Sequence, residues 1–427
     1  MKKGILAPYK RPFFGIRAPK IINAVLPDIS AGPAEETAAP KTAVLDVAHP
    51  YDGARLLIGP GESVMRGQPV FPYEGAGFTA TVCGSVSSVE PAVNAQGRPV
   101  TRVALLAGSP EEWDQGPGRE PGVDACKTWL NTIPGGLDLG ALTTAMHPVH
   151  TLVVLALDFD PMSTAVQQVS IQRSKDVVAG IAALKEITGA GKIEAAAFSS
   201  TSKVASSWDL PVKVVSRSYP ACLPHFICRN HYGVTVGAGA TPLRHGFAFV
   251  SAEALAAVGA FLRTGRVKGE KVVTLVSKDL TEKSVNFKVR IGAPIRDVLE
   301  AGRVVVAESD RVIMGGPFTG YAAADLSEPV TPRTSSIMVQ DADGLAGVND
   351  SACFNCGECV RICPAKMPVN MLIRYLDNGL WDDAARRYDL LSCVECGLCS
   401  FVCPALIPVF QHIMLGKLQY ENSLEKD

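Results

Sequence analysis

Eight cysteines near the C-terminus have the type and spacing to do chemistry. They read Cys353-x2-Cys356-x2-Cys359-x3-Cys363-Pro364 and Cys393-x2-Cys396-x2-Cys399-x3-Cys403-Pro404. The two eleven-residue blocks share one spacing and begin 40 residues apart. Three thiolates at i, i+3 and i+6 can wrap one face of an iron–sulfur cubane, because short tight turns aim all three sulfurs inward. The fourth, just before proline, lies on the next segment and ligates the other cluster. The spacing predicts two [4Fe–4S] clusters, one on Cys353, Cys356, Cys359 and Cys403, the other on Cys393, Cys396, Cys399 and Cys363. Gly357 and Gly397 fall between second and third ligands, where bare backbone can approach the sulfides and donate amide hydrogen bonds. Zinc sites more commonly use two separated CxxC knuckles than a run ending in Cys-Pro.

Short helices and turns must hold those ligands. Between the blocks, Met371, Leu372, Tyr375 and Leu376 recur at helical spacing, Asn378-Gly379 breaks the pattern, and Trp381, Ala384, Ala385 and Tyr388 resume it. VFQHIMLGKLQYE predicts a further helix, giving an α-helical dicluster ferredoxin domain over 346–427. Upstream, 1–127 holds short β-rich stretches punctuated by glycine and resembles a biotinyl/lipoyl-like barrel-sandwich hybrid. Its hairpin tip, Glu74-Gly75-Ala76-Gly77, has no lysine for a swinging arm, so a scaffold or docking surface is expected. The composition of 31–40 predicts a flexible linker.

Over 128–270, the apolar run 150–157 predicts a buried parallel strand. Ser174 is expected to cap a helix that Gly189 closes, and 193–198 and 212–216 read as strands of a Rossmann-like α/β sheet. Segment 246–262 carries Glu253, is too short to span a bilayer, and predicts a half-buried helix. Over 271–345, KVVTLVS, VNFKVRIGAPIRDVLE and RVIMGGPFTG predict a β-grasp (SLBB-like) module. The fold class is α/β and multidomain.

Composition narrows the function classes. Lys+Arg 41 against Asp+Glu 42, with no basic cluster, argues against a nucleic-acid partner. A hydrophobic fraction of 47% excludes disorder for most of the chain. Of twelve cysteines, only Cys83, Cys126, Cys222 and Cys228 lie outside the blocks, which is not how a disulfide framework is spread. The start, MKKGILAPYKRPFFGIRAP, lacks the apolar stretch of a signal peptide. A reducing, cytoplasmic setting with no transmembrane span is expected.

Residues 211–233, KVRIGAPIRDVLE, VIMGGPFTG and the two cysteine blocks resemble the C subunit of the Rnf electron-transport complex (RnfC), over nearly the whole chain. YPACLPHFIC, SAEALAAVGAFLRTGR and ALDFDP resemble the related A subunit of the sodium-pumping NADH:quinone reductase (NqrA), which lacks the clusters. The resemblance implies an electron-transfer subunit, peripheral on the cytoplasmic face of a membrane redox complex, relaying electrons between a donor (a protein or NADH) and the other subunits. It also implies kinship with the flavin subunit of respiratory complex I. There FMN sits on a glycine-rich loop at a helix start, NADH stacks over it, and an acidic segment follows the next strand.

The matching positions here are Gly135, Gly136 and Gly140, with Asp158 and Asp160. The loop is poorer in glycine than that pattern and lacks its downstream lysine, and Asp138 would set a negative charge toward a phosphate. The FMN/NADH site therefore reads as vestigial, and no catalytic residue is assigned. In the plainer reading the glycines only make a turn and the aspartates cap the next helix. Two other functions stay open: an FMN-containing NADH dehydrogenase subunit, and a soluble RnfC-like adaptor feeding electrons to a reductase. Cys222-x2-His225-x2-Cys228-x2-His231 has ligand types suited to zinc or iron, but Pro224 interrupts the run, and buried thiols beside ordinary histidines are the alternative.

Overall fold

Thr42–Ala48 turns Ala43, Leu45 and Val47 inward and their neighbours outward, the period-two pattern of a half-buried strand. The computed structural model describes residues 21–25, 32–48, 55–73, 76–95, 97–143, 146–277, 284–342 and 352–424. In chain order the N-terminal strands are β1 (Glu35–Glu36), β2 (Thr42–Ala48), β3 (Ser63–Val64), β4 (Pro69–Tyr73), β5 (Ala76–Thr79), β6 (Gly84–Val93) and β7 (Pro99–Ala107). Antiparallel pairing orders one sheet β2-β7-β6-β3, and β4 pairs with β5 as a hairpin. Their inner faces share a core that includes Leu45, Val70, Phe78, Val103 and Leu105. Part of the segment expected as a free linker is instead a sheet edge: Glu35 and Glu36 run parallel to Phe287 and Lys288. Ala31 and the hairpin-tip residues Glu74 and Gly75 lie outside the described residues.

The second module begins with two short helices, α1 (Ala125–Trp129) and α2 (Leu139–Leu142). Then come β8 (Thr151–Ala156), α3 (Ala165–Gln172), α4 (Ser174–Thr188), β9 (Lys192–Ala197), α5 (Ser202–Ser206), β10 (Val212–Val214), α6 (Pro224–Tyr232), β11 (Phe247–Ser251) and α7 (Ala252–Thr264). The sheet is parallel throughout, in the order β10-β9-β8-β11. Every residue of β8 is buried, as a central strand covered on both faces requires.

Two readings of this region need correction. Segment 246–262 is not one helix, because Phe247–Ser251 pairs with β8, and helix begins only at Ala252, capped by Ser251 Oγ accepting from Ala254 N at 3.2 Å. A short apolar run reads alike as buried strand or buried helix; pairing with β8 decides. The helix is also mostly buried rather than half-buried, and its Glu253 pairs inside with Lys271 at 3.5 Å. Ser174 is the first residue of α4 rather than its cap, since its Oγ accepts from Trp208 Nε1 at 2.8 Å. Gly189 closes α4 in the left-handed conformation, as the sequence predicts.

A mixed sheet follows, with β12 (Glu270–Val276), β13 (Val285–Arg290), α8 (Ile295–Ala301), β14 (Arg311–Met314), β15 (Tyr321–Ala322) and β16 (Ser336–Gln340). Its order is β1-β13-β12-β16-β14-β15, and Ile295, Val298 and Leu299 of α8 pack into its core. Buried Arg66 ties it to the first module: its guanidinium binds Glu111 at 3.1 Å and Glu270 at 2.6 Å and stacks 4.0 Å over Trp113. The last module is helical: α9 (Glu358–Ile362), α10 (Val369–Asp377), α11 (Trp381–Arg387), α12 (Leu398–Phe401) and α13 (Val409–Leu424). The break between α10 and α11 falls at Asn378-Gly379, where Gly379 takes φ 70°. Among the described residues no helix is long and apolar enough to cross a membrane.

Candidate metal centres

Each cysteine block folds as a loop that turns into a short helix. Gly357 (φ 77°) precedes α9 and Gly397 (φ 70°) precedes α12, so the third cysteine of each block sits in a first helical turn. Asn355 (φ 61°) and Lys366 (φ 61°) match Glu395 (φ 57°) and Leu406 (φ 57°), each pair again 40 positions apart. Asn355 and Gly357, like Glu395 and Gly397, lie between ligands, where left-handed backbone lets three sulfurs converge over so few bonds. Gly397 has a second reason to be glycine: an added Cβ would overlap the carbonyl oxygen of Phe318.

These loops bring the eight cysteines together as two sets of four. Cys353, Cys356, Cys359 and Cys403 line one cavity of about 380 Å3, measured out to its mouth, with Ile373 and Ile407 among its walls. Cys363, Cys393, Cys396 and Cys399 line a second of about 350 Å3, with Met367 and Ile413. Each cavity takes three cysteines from one block and the pre-proline cysteine of the other. Burial, then the neighbouring Cys356, Cys353 and Cys403, push the Cys359 thiol up to about 12. Burial, with Cys393 and Cys363 adding to it, pushes Cys396 up to about 12. Packed, buried thiols of this kind keep their protons until a cationic centre displaces them. Four soft donors around an apolar-walled space wider than one ion suit an iron–sulfur cluster. Among the described residues no three His, Cys, Asp or Glu side chains close on a point as a single metal ion would need.

The expected flavin residues lie at the carboxyl edge of the parallel sheet, and other parts of the chain occupy them. Gly135 N donates to Pro332 O at 2.7 Å, and Gly136 N to Ile133 O at 3.0 Å. A Cβ on Gly136 would meet Arg333 at 2.7 Å. Gly140 belongs to α2, whose cap is Asp138, accepting from Ala141 N at 3.0 Å. Asp158 accepts from Ser163 Oγ at 2.8 Å, Val166 N at 3.0 Å and Gln167 N at 3.3 Å, bracing the start of α3. Asp160 accepts from Met162 N at 2.9 Å and from the hydroxyls of Ser335 and Ser336. Burial raises both carboxyls above the usual carboxylate range, and these hydrogen bonds oppose it. Ligands of open α/β sheets bind where strand order reverses, here between β8 and β11. At that edge Pro332 O accepts from Gly135 N, and Ser335 and Ser336 donate to Asp160.

Residues 347–407 match the 4Fe-4S dicluster domain. The C subunit of the ion-translocating oxidoreductase complex from Pseudomonas aeruginosa is 25% identical over 339 residues, covering 74% of this chain and 44% of that protein. The protein of the same name from Vibrio cholerae is 24% identical over 414 residues, covering 90% and 50%. The C subunit of the proton-translocating ferredoxin:NAD(+) oxidoreductase complex from Clostridium ljungdahlii is 23% identical, covering 57% and 55%. The chain is similar to these C subunits. It spans about half the length of these relatives. A chain of an NAD+-reducing [NiFe]-hydrogenase overlays 65% of it at a TM-score of 0.43 and 15% identity, covering 58% of that chain, a likeness too distant to argue from.

At Cys222 to His231 the structure agrees with the reading of buried thiols. Cys222 and Cys228 are buried, and burial pushes their thiols up to about 12 and about 11. Cys222 Sγ lies 3.5 Å from Asn23 Nδ2 and 3.7 Å from Phe159 O, and burial lowers His225 and His231. The repeat of the tail also runs past the cysteines, from CPAKMPV at 363–369 to CPALIPV at 403–409. Met367 lines the second cavity and Ile407 the first, so this longer repeat could have identified wall residues from sequence. Tyr219, Phe318 and Lys417 had no such signal. They touch the ligand loop behind the second cavity, Tyr219 OH donating to Cys396 O and Lys417 Nζ to Cys393 O, both at 2.8 Å, with the Phe318 carbonyl against Gly397.

Proposed function

We propose that this chain is an electron-transfer subunit of an Rnf-type redox complex, relaying electrons through two [4Fe–4S] clusters. The carrying observation is the division of eight cysteines into two cavities with the fourth ligands exchanged between blocks. The clusters, when bound, accept and release single electrons; the chain supplies the thiolates, the apolar walls and the hydrogen-bond donors around them. Its partners are other subunits of a membrane complex or of a reductase, with the chain peripheral on the cytoplasmic face. Four modules serve this role: a barrel-sandwich domain (1–127), a Rossmann-like domain (128–270), a β-grasp-like domain (271–345) and the dicluster domain (346–427). Favouring a relay over an FMN-containing NADH dehydrogenase is the commitment of Gly135, Gly136, Asp158 and Asp160 to contacts within the chain.

Anaerobically purified protein should contain about eight iron and eight sulfide per chain. Double variants test the ligand exchange. Cys353→Ser with Cys403→Ser should keep about four iron, because both residues serve one cluster, whereas Cys393→Ser with Cys403→Ser should keep none. The reverse pattern would overturn the exchange. Zinc in place of iron would overturn the relay itself, and extractable FMN with NADH-dependent bleaching would favour the dehydrogenase.

A further inference from the structure

The ligand loop of the second cysteine cavity touches more than the helical tail that lines it. Cys396 and Leu398 share a buried apolar cluster with Val153 and Leu155 of β8, with Tyr219 and with Phe318. Tyr219 belongs to the parallel-sheet module and Phe318 to the turn after β14, so three modules meet at this one loop. The Tyr219 ring stacks on Phe318 with centroids 5.3 Å apart, and Phe318 meets Phe401, two residues past Cys399, edge-on at 5.3 Å. The backbone of Phe318 presses against the Cα of Gly397. The Tyr219 hydroxyl is the polar element of this contact, giving its proton to the carbonyl of Cys396 at 2.8 Å. Both cavities are lined by the tail alone, and the contacts of Tyr219 and Phe318 fall on the ligand loop of the second.

We propose that Tyr219 is a positioning residue for the cluster of the second cavity, setting the Cys396–Gly397 peptide and with it that cluster's reduction potential. The inference rests on the two-cluster reading above. A donor on the carbonyl of a ligand cysteine directs the positive end of the O–H dipole toward the ligand loop and favours an added electron. It also fixes the following peptide, whose amide belongs to the same loop. Phe318 holds the tyrosine ring from behind, so the hydroxyl keeps its aim.

The test is Tyr219→Phe in the full chain, which keeps the ring stack and removes only the donor. Iron content should equal that of the wild type. In a potentiometric titration followed by EPR, one of the two reduction steps should move to lower potential while the other stays in place. Site-specific 3-fluorotyrosine at position 219, a stronger donor, should move the same step the opposite way. Unchanged steps in both proteins, or equal shifts of both clusters, would overturn the proposal and leave the two-cluster reading standing. Should Tyr219→Phe fail to assemble, the fluorinated protein alone decides by the same criterion. A wild-type chain lacking two clusters would overturn both.

Discussion

Lys417 places a positive charge against the second cavity from α13. Its Nζ donates to Cys393 O at 2.8 Å and pairs with Glu395 at 2.7 Å, and the side chain is only 14% exposed. Glu395 offsets part of the charge, but only the lysine is largely shielded from water. An added electron on the nearby cluster should therefore be stabilised by about 2 kcal/mol, taking a single charge roughly 8 Å away at an effective dielectric of about 20. Lys417→Gln is expected to lower one reduction step by that amount and Glu395→Gln to raise the same step, as read by EPR-monitored titration. Movement of the other step instead would place the charge at the wrong cavity. Asp160 gives a prediction of a different kind. A carboxyl whose folded pKa is raised contributes stability that is full below its unfolded pKa and is lost as pH rises through the folded one. Asp160→Asn keeps an acceptor for Met162 N and removes the titration, so the fall in urea midpoint with rising pH above about 4 should be shallower than in the wild type.

Elements show where sequence and structure part. The α4–α7 pair crosses at two glycines: a Cβ on Gly259 would overlap the carbonyl of Asp176, and one on Gly180 that of Leu255. Such contacts tolerate no methyl group without moving a helix. Gly259→Ala should cost about 1–3 kcal/mol by overpacking, despite its better helix propensity, measurable as a lower thermal midpoint of far-UV helicity. An unchanged or raised midpoint would mean that the helices can separate freely. The periodicity that made α4 and α10 legible is local and survives in any context. The division of 246–262 into β11 and α7 is not local, because the strand exists through its register with β8. The role of Ser174 was lost for the same reason, since Trp208, its partner, lies 34 residues away. Ligand spacing was legible because chelation constrains a few consecutive turns. The hydroxyl of Tyr219, 177 residues from Cys396, could be placed only by the fold.

At the scale of the whole molecule the two cavities are unequal. Cys396 is 8% exposed and packs with the parallel sheet, while the first cavity is bordered by Phe354, which is 54% exposed. On the proposed two-cluster reading, both clusters would join the two halves of the helical tail, and the second would also stiffen the loop at which three modules meet. Metal binding contributes folding free energy to whatever its ligands connect, so removing each cluster should loosen a different part of the chain. In Cys396→Ser, hydrogen exchange should quicken at 215–222 and 315–320, where Tyr219 and Phe318 lose the ligand loop they rest on. In Cys353→Ser, exchange should quicken around α9 and α10 and stay at the wild-type rate in those two segments. Both variants are expected to lose about four iron, so the contrast cannot come from the amount of metal lost. Equal exchange in the two variants at 215–222 would mean that the sheet module stands independently of the cluster it touches.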